Sequence, residues 1–319
     1  MATSNSYNFS LNRNEIIKTA LEEVSAADVF DEVEEEDIKL ANRRLNMMVK
    51  AWQARGISLP FIEEVIVFLP KDTSSLTLSN TGAEACLESD FVSTTTSASA
   101  SSGASTITVA SITGLVSADR IGIKLSDGTR QWTTINGAPS GSTVTLTDAL
   151  TGNVDSGATV YSYTNKIEKP MRLLDVRRSS TDNIDIPVEI LARKDWNDLS
   201  DKTSDGTVTQ VHYQPKNTSG ILYIWQQTAN VDDYLKCTVE YPIEDFDSAS
   251  DDCMFPSEWY EAIVYGLAWR LGTGGKFGVS DAEMANLKAI ADEMFDKVND
   301  FDQEYTYVDF VPNLTGEYS

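Results

Sequence analysis

Histidine is nearly absent: His212 is the single one among 319 residues. A serine or cysteine triad would have to use it, as would most histidine-containing metal sites. It lies in TVTQVHYQP, an alternating strand-like segment, where a structural or simply exposed histidine is expected rather than a catalytic one. Cysteine is also scarce. Cys86, Cys237 and Cys253 are far apart and odd in number, with neither metal-ligand spacing nor a disulfide framework, so synthesis in a reducing compartment is expected. The third shortage is positive charge. Twenty-five Lys and Arg against 49 Asp and Glu give a formal net charge of −24. This disfavours tight binding to nucleic-acid phosphates, which depends on Lys and Arg displacing counterions. No stretch approaches the ~18 apolar residues of a membrane span. The opening MATSNSYNFSLNRNE lacks the basic-then-apolar pattern of a secretory signal.

What is present is a 41% hydrophobic chain, enough for packed cores. A single core usually stops growing at about 250–300 residues, so two or more structural units are expected. Helical periodicity opens the chain. Asn12 with Glu15 forms a capping-box pattern, and Ile16, Ile17, Ala20, Leu21 and Val24 share one helical face. After the acidic run DVFDEVEEED, a second stripe comprises Ile38, Ala41, Leu45, Met48, Val49 and Trp52, with Gly56 placed as its C′ residue. From about Ile66 the period switches to two. VIVFLP, SLTLS, STITVAS, IGIKL, TVTLT and TVYSYT are short β-type runs separated by turn residues, the pattern of a sandwich or small barrel. Ser93–Gly103, STTTSASASSG, has the composition of a linker or flexible loop leading into a small inserted β domain at about 92–165. KPMRLLDVRRSS, IDIPVEILA, TVTQVHYQP, GILYIWQQ and YLKCTVEYP are five further candidate strands, with a helical turn at Asp195–Leu199. Helices then return. Pro256 suits a first helical position, Trp259, Ile263, Gly266, Leu267 and Arg270 line one side, and glycines 272, 274 and 275 break the pattern. Ser280 with Glu283 caps a last helix striped by Met284, Leu287, Ile290, Met294 and Val298.

The expected fold class is therefore α+β: a helical unit formed by the N- and C-terminal segments, with all-β, sandwich- or barrel-like insertions between them. The expected divisions are 1–65, 66–165, 166–250, 251–300 and a tail at 301–319. The expected helical core includes Ile17, Leu21, Leu45, Met48, Trp52, Trp259, Leu267, Leu287 and Met294.

Chemistry-bearing patterns are weak. Gly272-Thr273-Gly274-Gly275-Lys276 lacks phosphate-loop spacing, follows a helix, and has Phe277 where Ser or Thr is required, so it is expected to be a connector. The acidic run at 34–37 has the pattern of a solvated face, and no EF-hand loop is present. Arg43-Arg44 and Arg177-Arg178 are expected to pair with nearby carboxylates. Trp52, Trp259 and Trp269 fall on helices. Trp132, Trp196 and Trp225 lie in the β part, where an exposed ring could stack on a sugar, although core packing is the default. No catalytic residue, cofactor or metal is expected.

The two helical ends, NEIIKTALEEVSAADVFDEVEEEDIKLANRRLNMMVKAWQARGISLP and FPSEWYEAIVYGLAWRLGTGGKFGVSDAEMANLKAIADEMFDKV, together resemble the head-to-tail adaptor (tail accessory, connector) proteins of short-tailed phages. Leu267-Ala268-Trp269-Arg270-Leu271 holds the place of that family's "LA.rla" pattern. The resemblance covers about a third of the chain, and some members place β domains between the helical halves. It implies a non-enzymatic virion protein, made in the host cytoplasm and placed at the head–tail junction. It also implies a ring of about twelve copies beneath the portal protein, contacts with a tail hub or nozzle and with fibres, and double-stranded DNA passing through without specific binding. The aromatic segment Phe301, Tyr305, Tyr307, Phe310, Val311, Leu314 and Tyr318 is the expected portal-binding tail. An alternative is a β-rich adhesin or carbohydrate-binding module. A carboxylate-based hydrolase has only the abundance of acids in its favour.

Overall fold

The structure, a computed structural model, describes residues 9–24, 33–57, 61–88, 90–180 and 184–301. In chain order, α1 (Arg13–Glu23) and α2 (Glu35–Gln53) precede β1 (Ile62–Phe68), β2 (Ser75–Leu78) and β3 (Cys86–Leu87). A run of short strands follows: β4 (Val92–Thr95), β5 (Thr106–Thr108), β6 (Arg120–Lys124), β7 (Arg130–Thr134), β8 (Thr143–Thr145) and β9 (Thr159–Tyr163). Then come β10 (Arg172–Ser179), β11 (Asp185–Pro187), β12 (Glu189–Ile190), α3 (Arg193–Asp198), β13 (Gln210–Pro215), β14 (Gly220–Trp225) and β15 (Tyr234–Glu240). A 3₁₀ turn at Ser257–Trp259 leads into α4 (Tyr260–Gly272), and α5 (Asp281–Phe301) closes the described chain. The class is α+β with a β-rich middle.

The chain divides into two compact units. One combines Met1–Phe61 with Ile243–Ser319, and the other is Ile62–Pro242. These boundaries fall at 61/62 and 242/243, where the expected divisions are 65/66 and 250/251. β1 begins at Ile62 because its polar first half, Glu63 and Glu64, still pairs with β15, which a search for apolar alternation misses.

The helical unit buries the stripes that its sequence displays. Asn12 caps α1: its side chain accepts from the Glu15 N–H at 3.0 Å, while the Glu15 carboxylate accepts from the Asn12 N–H at 2.9 Å. Ser280 and Glu283 make the same exchange at the start of α5, at 3.3 and 2.9 Å. α2 ends at Gln53 with Ala54 as its C-cap, so Gly56, at φ +104°, stands one residue beyond the C′ position expected. Pro256 is extended (φ −55°, ψ 154°) and precedes the 3₁₀ turn as its cap rather than occupying a first helical position.

In the β unit, the sheet β11-β10-β15-β1-β3 faces the sheet β12-β13-β14-β2 across a core that includes Val65, Val67, Val176, Val211, Leu222, Ile224 and Leu235. The sandwich therefore draws strands from both sides of the insertion. The inserted domain has its own sheet, β4-β9-β6-β7, a β5-β8 pair, and a core of residues such as Ile107, Ile121, Ile123, Val144 and Val160.

The expected linker is a structured part of this domain. Val92–Thr95 pairs with β9 as β4, Thr96 bridges to Val109, and Ala100 exchanges backbone hydrogen bonds with Val154 at 2.9 and 2.8 Å. Thr96 is buried; its hydroxyl donates to the Asp155 carbonyl at 2.6 Å and accepts from the Ala158 N–H at 2.9 Å. Serine and threonine give a linker-like composition, but threonine is β-branched and suits an edge strand when its hydroxyl finds backbone partners.

Candidate assembly surfaces

The helical core is organised around α4. Ile17, Leu21, Leu45, Met48, Trp52, Trp259, Leu267 and Leu287 are buried together, while Met294 packs against them half-buried. Trp52 is central to the aromatic packing, with ring centroids 6.0 Å from Trp259, 6.4 Å from Phe255 and 5.1 Å from Phe295. Gly266 lets α2 approach: a Cβ there would stand 2.9 Å from Met48 Sδ and 3.1 Å from Trp52.

Polar groups pin the returning chain to α1 and α2. Asn46 Oδ1 accepts from the Phe246 N–H at 2.9 Å, Lys50 pairs with Asp245 at 2.9 Å, and Arg13 donates to the Asp247 carbonyl at 2.9 Å. Arg44 corrects the expectation of carboxylate pairing. Its guanidinium donates to the carbonyls of Arg270 and Leu271, the latter at 3.2 Å, and so satisfies the end of α4. Arg177 and Arg178 do meet carboxylates, Asp175 at 2.8 Å and Asp233 at 3.5 Å.

In the β unit the inserted domain is fixed by an aromatic seam and two charged clusters. Phe68 and Tyr234 from the sandwich meet Phe91, Trp132, Tyr161 and Tyr163, with Phe68 stacked on Tyr161 at 4.6 Å and 14°. Beside them Arg130, its side chain 2% exposed, donates to Asp232 at 3.0 Å and to the Val231 carbonyl at 3.1 Å, and lies 4.3 Å over the Tyr161 ring. Asp232 also accepts from Lys124, and from Thr159 Oγ1 at 2.5 Å. Burial raises the Asp232 carboxyl, but hydrogen bonds from Lys124 and Thr159 and the charges of Lys124 and Arg130 outweigh it, leaving the group below its ordinary value. Burial pushes the Tyr161 hydroxyl up to about 12. In the second cluster Glu84 joins Arg120 at 2.7 Å and Lys166 at 2.6 Å. Burial raises Glu84 too, and those two hydrogen bonds again bring the net shift downward. Sequence reading missed both clusters because the partners lie far apart along the chain; the one local hint was Arg130 beside Trp132 in a β-type run.

His212 is buried, its Nδ1 2.9 Å from the Leu191 carbonyl, in a three-ring cluster with Trp196 and Tyr223. The three cysteines are free and buried. Burial raises all three thiols, Cys86 to about 12 and Cys253 to about 11. Among the described residues, no group of three or more His, Cys, Asp or Glu side chains could hold a metal, and no helix is long and apolar enough to cross a membrane. A 460 Å³ cleft beside Glu244, Asp245, Asp247, Asp251 and Asp252 is open and acidic, and Asp251 is occupied in accepting from the backbone N–H groups of Asp247 and Ser248. Of the β-region tryptophans, Trp196 is buried, Trp132 belongs to the seam, and Trp225, half-buried, donates from Nε1 to the Asp201 carbonyl at 2.8 Å. Phe301 is the last residue of α5; Tyr305, Tyr307, Phe310, Val311, Leu314 and Tyr318 lie outside the described residues.

No protein-family model matches the chain, and no curated protein matches it. Among solved structures, one alignment is to VP17, a capsid protein of bacteriophage P23-77, at 12% identity over 59% of this chain and 77% of that one, with a TM-score of 0.12. A superposition that poor carries no inference about this chain.

Proposed function

We propose that the chain is a structural subunit of a phage virion: a head-to-tail adaptor that forms a ring, of about twelve copies, between the portal protein and the tail hub or nozzle, with double-stranded DNA passing through. One observation supports this reading above the others. The two separated segments that resemble adaptor proteins fold onto each other, α1 and α2 sharing one core with α4 and α5. The excess of acids suits a passage for DNA, because like charges within a Debye length of about 8 Å keep phosphates from sticking. The aromatic tail from Phe301 to Tyr318 serves as the portal-binding element.

The test is to mix the protein with the portal protein of the same genome and follow sedimentation and particle images. A ring added beneath the portal at saturating stoichiometry is the expected result. An intact portal that gains nothing overturns the proposal. The carbohydrate-binding alternative is less well supported, since Trp132 and Trp196 are engaged in packing.

A further inference from the structure

One stretch of this acidic chain carries several bases and no acid at all. From Ile38 to Phe61 there are five bases, Lys39, Arg43, Arg44, Lys50 and Arg55, and no acid. Three of the five are turned to their own unit. Arg44 caps α4, Lys50 holds Asp245, and Arg55 lies 5.7 Å over the Phe295 ring. Lys39 and Arg43 project from the outer face of α2, in a row stepping by about one turn through Met47, Ala51 and Ala54, all exposed. Met47, in the middle of this row, is 65% exposed. Among the described residues Lys39 pairs only with Glu35, at 2.6 Å, where both side chains are solvent-bathed. Arg43 has no ion pair among the described residues.

α5 carries the complement. Residues 281–300 hold six acids and two bases. Its exposed face runs Ala285, Ala289, Asp292, Asp296 and Asp300, again about one turn apart. Both rows span fifteen residue steps, about 22 Å of helix. Laid antiparallel, one offset aligns four of the five positions: Arg43 against Asp296 places Lys39 against Asp300, Met47 against Asp292 and Ala54 against Ala285, while Ala51 falls against Lys288, beside Ala289. The opposite charges lie at one end; at the other the small side chains let the helices approach, with the Lys288 ammonium drawn 5.9 Å from the Trp269 ring of its own chain.

We propose that the outer face of α2 on one copy docks on the outer face of α5 on the next copy of this chain. A second copy is the occupant because one chain carries both halves of a matched pair, in charge and in spacing. The contact is heterologous, so it propagates from copy to copy and closes when the rotation between copies divides a full turn. The biological setting of that contact rests on the ring-building role proposed above.

The test uses the full-length protein in two single-cysteine forms, R43C and D296C, with a short bismaleimide as cross-linker. The native cysteines are buried, and the unmodified protein sets the background. The forms are examined mixed and separately, both concentrated in solution and bound to the portal. The expected result is a covalent dimer from the mixture and only background from either form alone. In parallel, R43E or D296R is expected to weaken self-association by at least about tenfold, and the double charge swap to restore it. Portal-bound rings without the R43C–D296C cross-link overturn the contact and leave the ring role standing. A cross-link in solution without portal binding supports the contact and overturns the role. No heterotypic cross-link in either sample, or equal cross-linking of R43C with itself, overturns the contact.

Discussion

At the scale of single residues, the informative positions are those where one group satisfies a distant one. Asp232 is the partner of a buried guanidinium, and removing it leaves Arg130 charged without its carboxylate. Breaking a buried pair in this way costs about 3 kcal/mol or more. Asp232→Ala is therefore expected to lower the urea midpoint of the β unit while leaving the helical unit's transition in place. The pH dependence has a definite sign. Asp232 and Glu84 both lie below their ordinary values in the folded protein, so their stabilisation is present above the unfolded carboxylate values of about 4 and is lost as pH falls through the folded values. Thermal melts should show Asp232→Asn and the parent protein converging toward pH 3 and separated at pH 7; parallel curves across that range would rule the mechanism out. Gly266 poses a different balance. Alanine gains up to about 1 kcal/mol of helix propensity and presses on the flexible end of Met48, so it should be close to neutral. Valine adds a branch facing Trp52 and should cost about 1–3 kcal/mol by overpacking, measurable by chemical denaturation.

At the scale of elements, legibility followed the period. The helices show their stripes and their caps in sequence because each element carries its own local evidence: Asn12 with Glu15, Ser280 with Glu283, and an apolar residue every third or fourth position. Replacing Asn12 by alanine should cost about 1 kcal/mol, read from the helical unit's unfolding. β1 was visible as VIVF but not in its role. All four residues are buried because Val65 and Val67 enter the sandwich core while Ile66 and Phe68 enter the aromatic seam. β4 was not legible, since nothing in STTTSASASSG says that β9, whose Thr159 pairs with Thr95, will pair with it. Hydrogen exchange distinguishes the two descriptions: the amides of Thr96, Ala100 and Ala158 are hydrogen-bonded and should be protected, whereas a flexible loop would exchange them at once. The charged clusters escaped sequence reading for the same reason, Arg130 and Asp232 being joined only by the fold.

At the scale of the molecule, the β unit is an insertion with its two ends side by side. Ile62 and Glu240 are register partners in β1 and β15, so the chain leaves the helical unit and returns to it through neighbouring residues. A fragment spanning 62–242 is expected to fold alone with a cooperative melt. A fragment of 1–61 is expected to stay largely unstructured, because its apolar stripe has lost α4. The same arrangement has a consequence during synthesis. α1 and α2 leave the ribosome first, yet the helix they pack around is encoded roughly 210 residues later. At about 5–20 residues per second, the stripe from Ile16 to Trp52 waits about 10–40 s for its partner. Through that interval it is a natural client for a chaperone, while the β unit between the two halves is already free to fold.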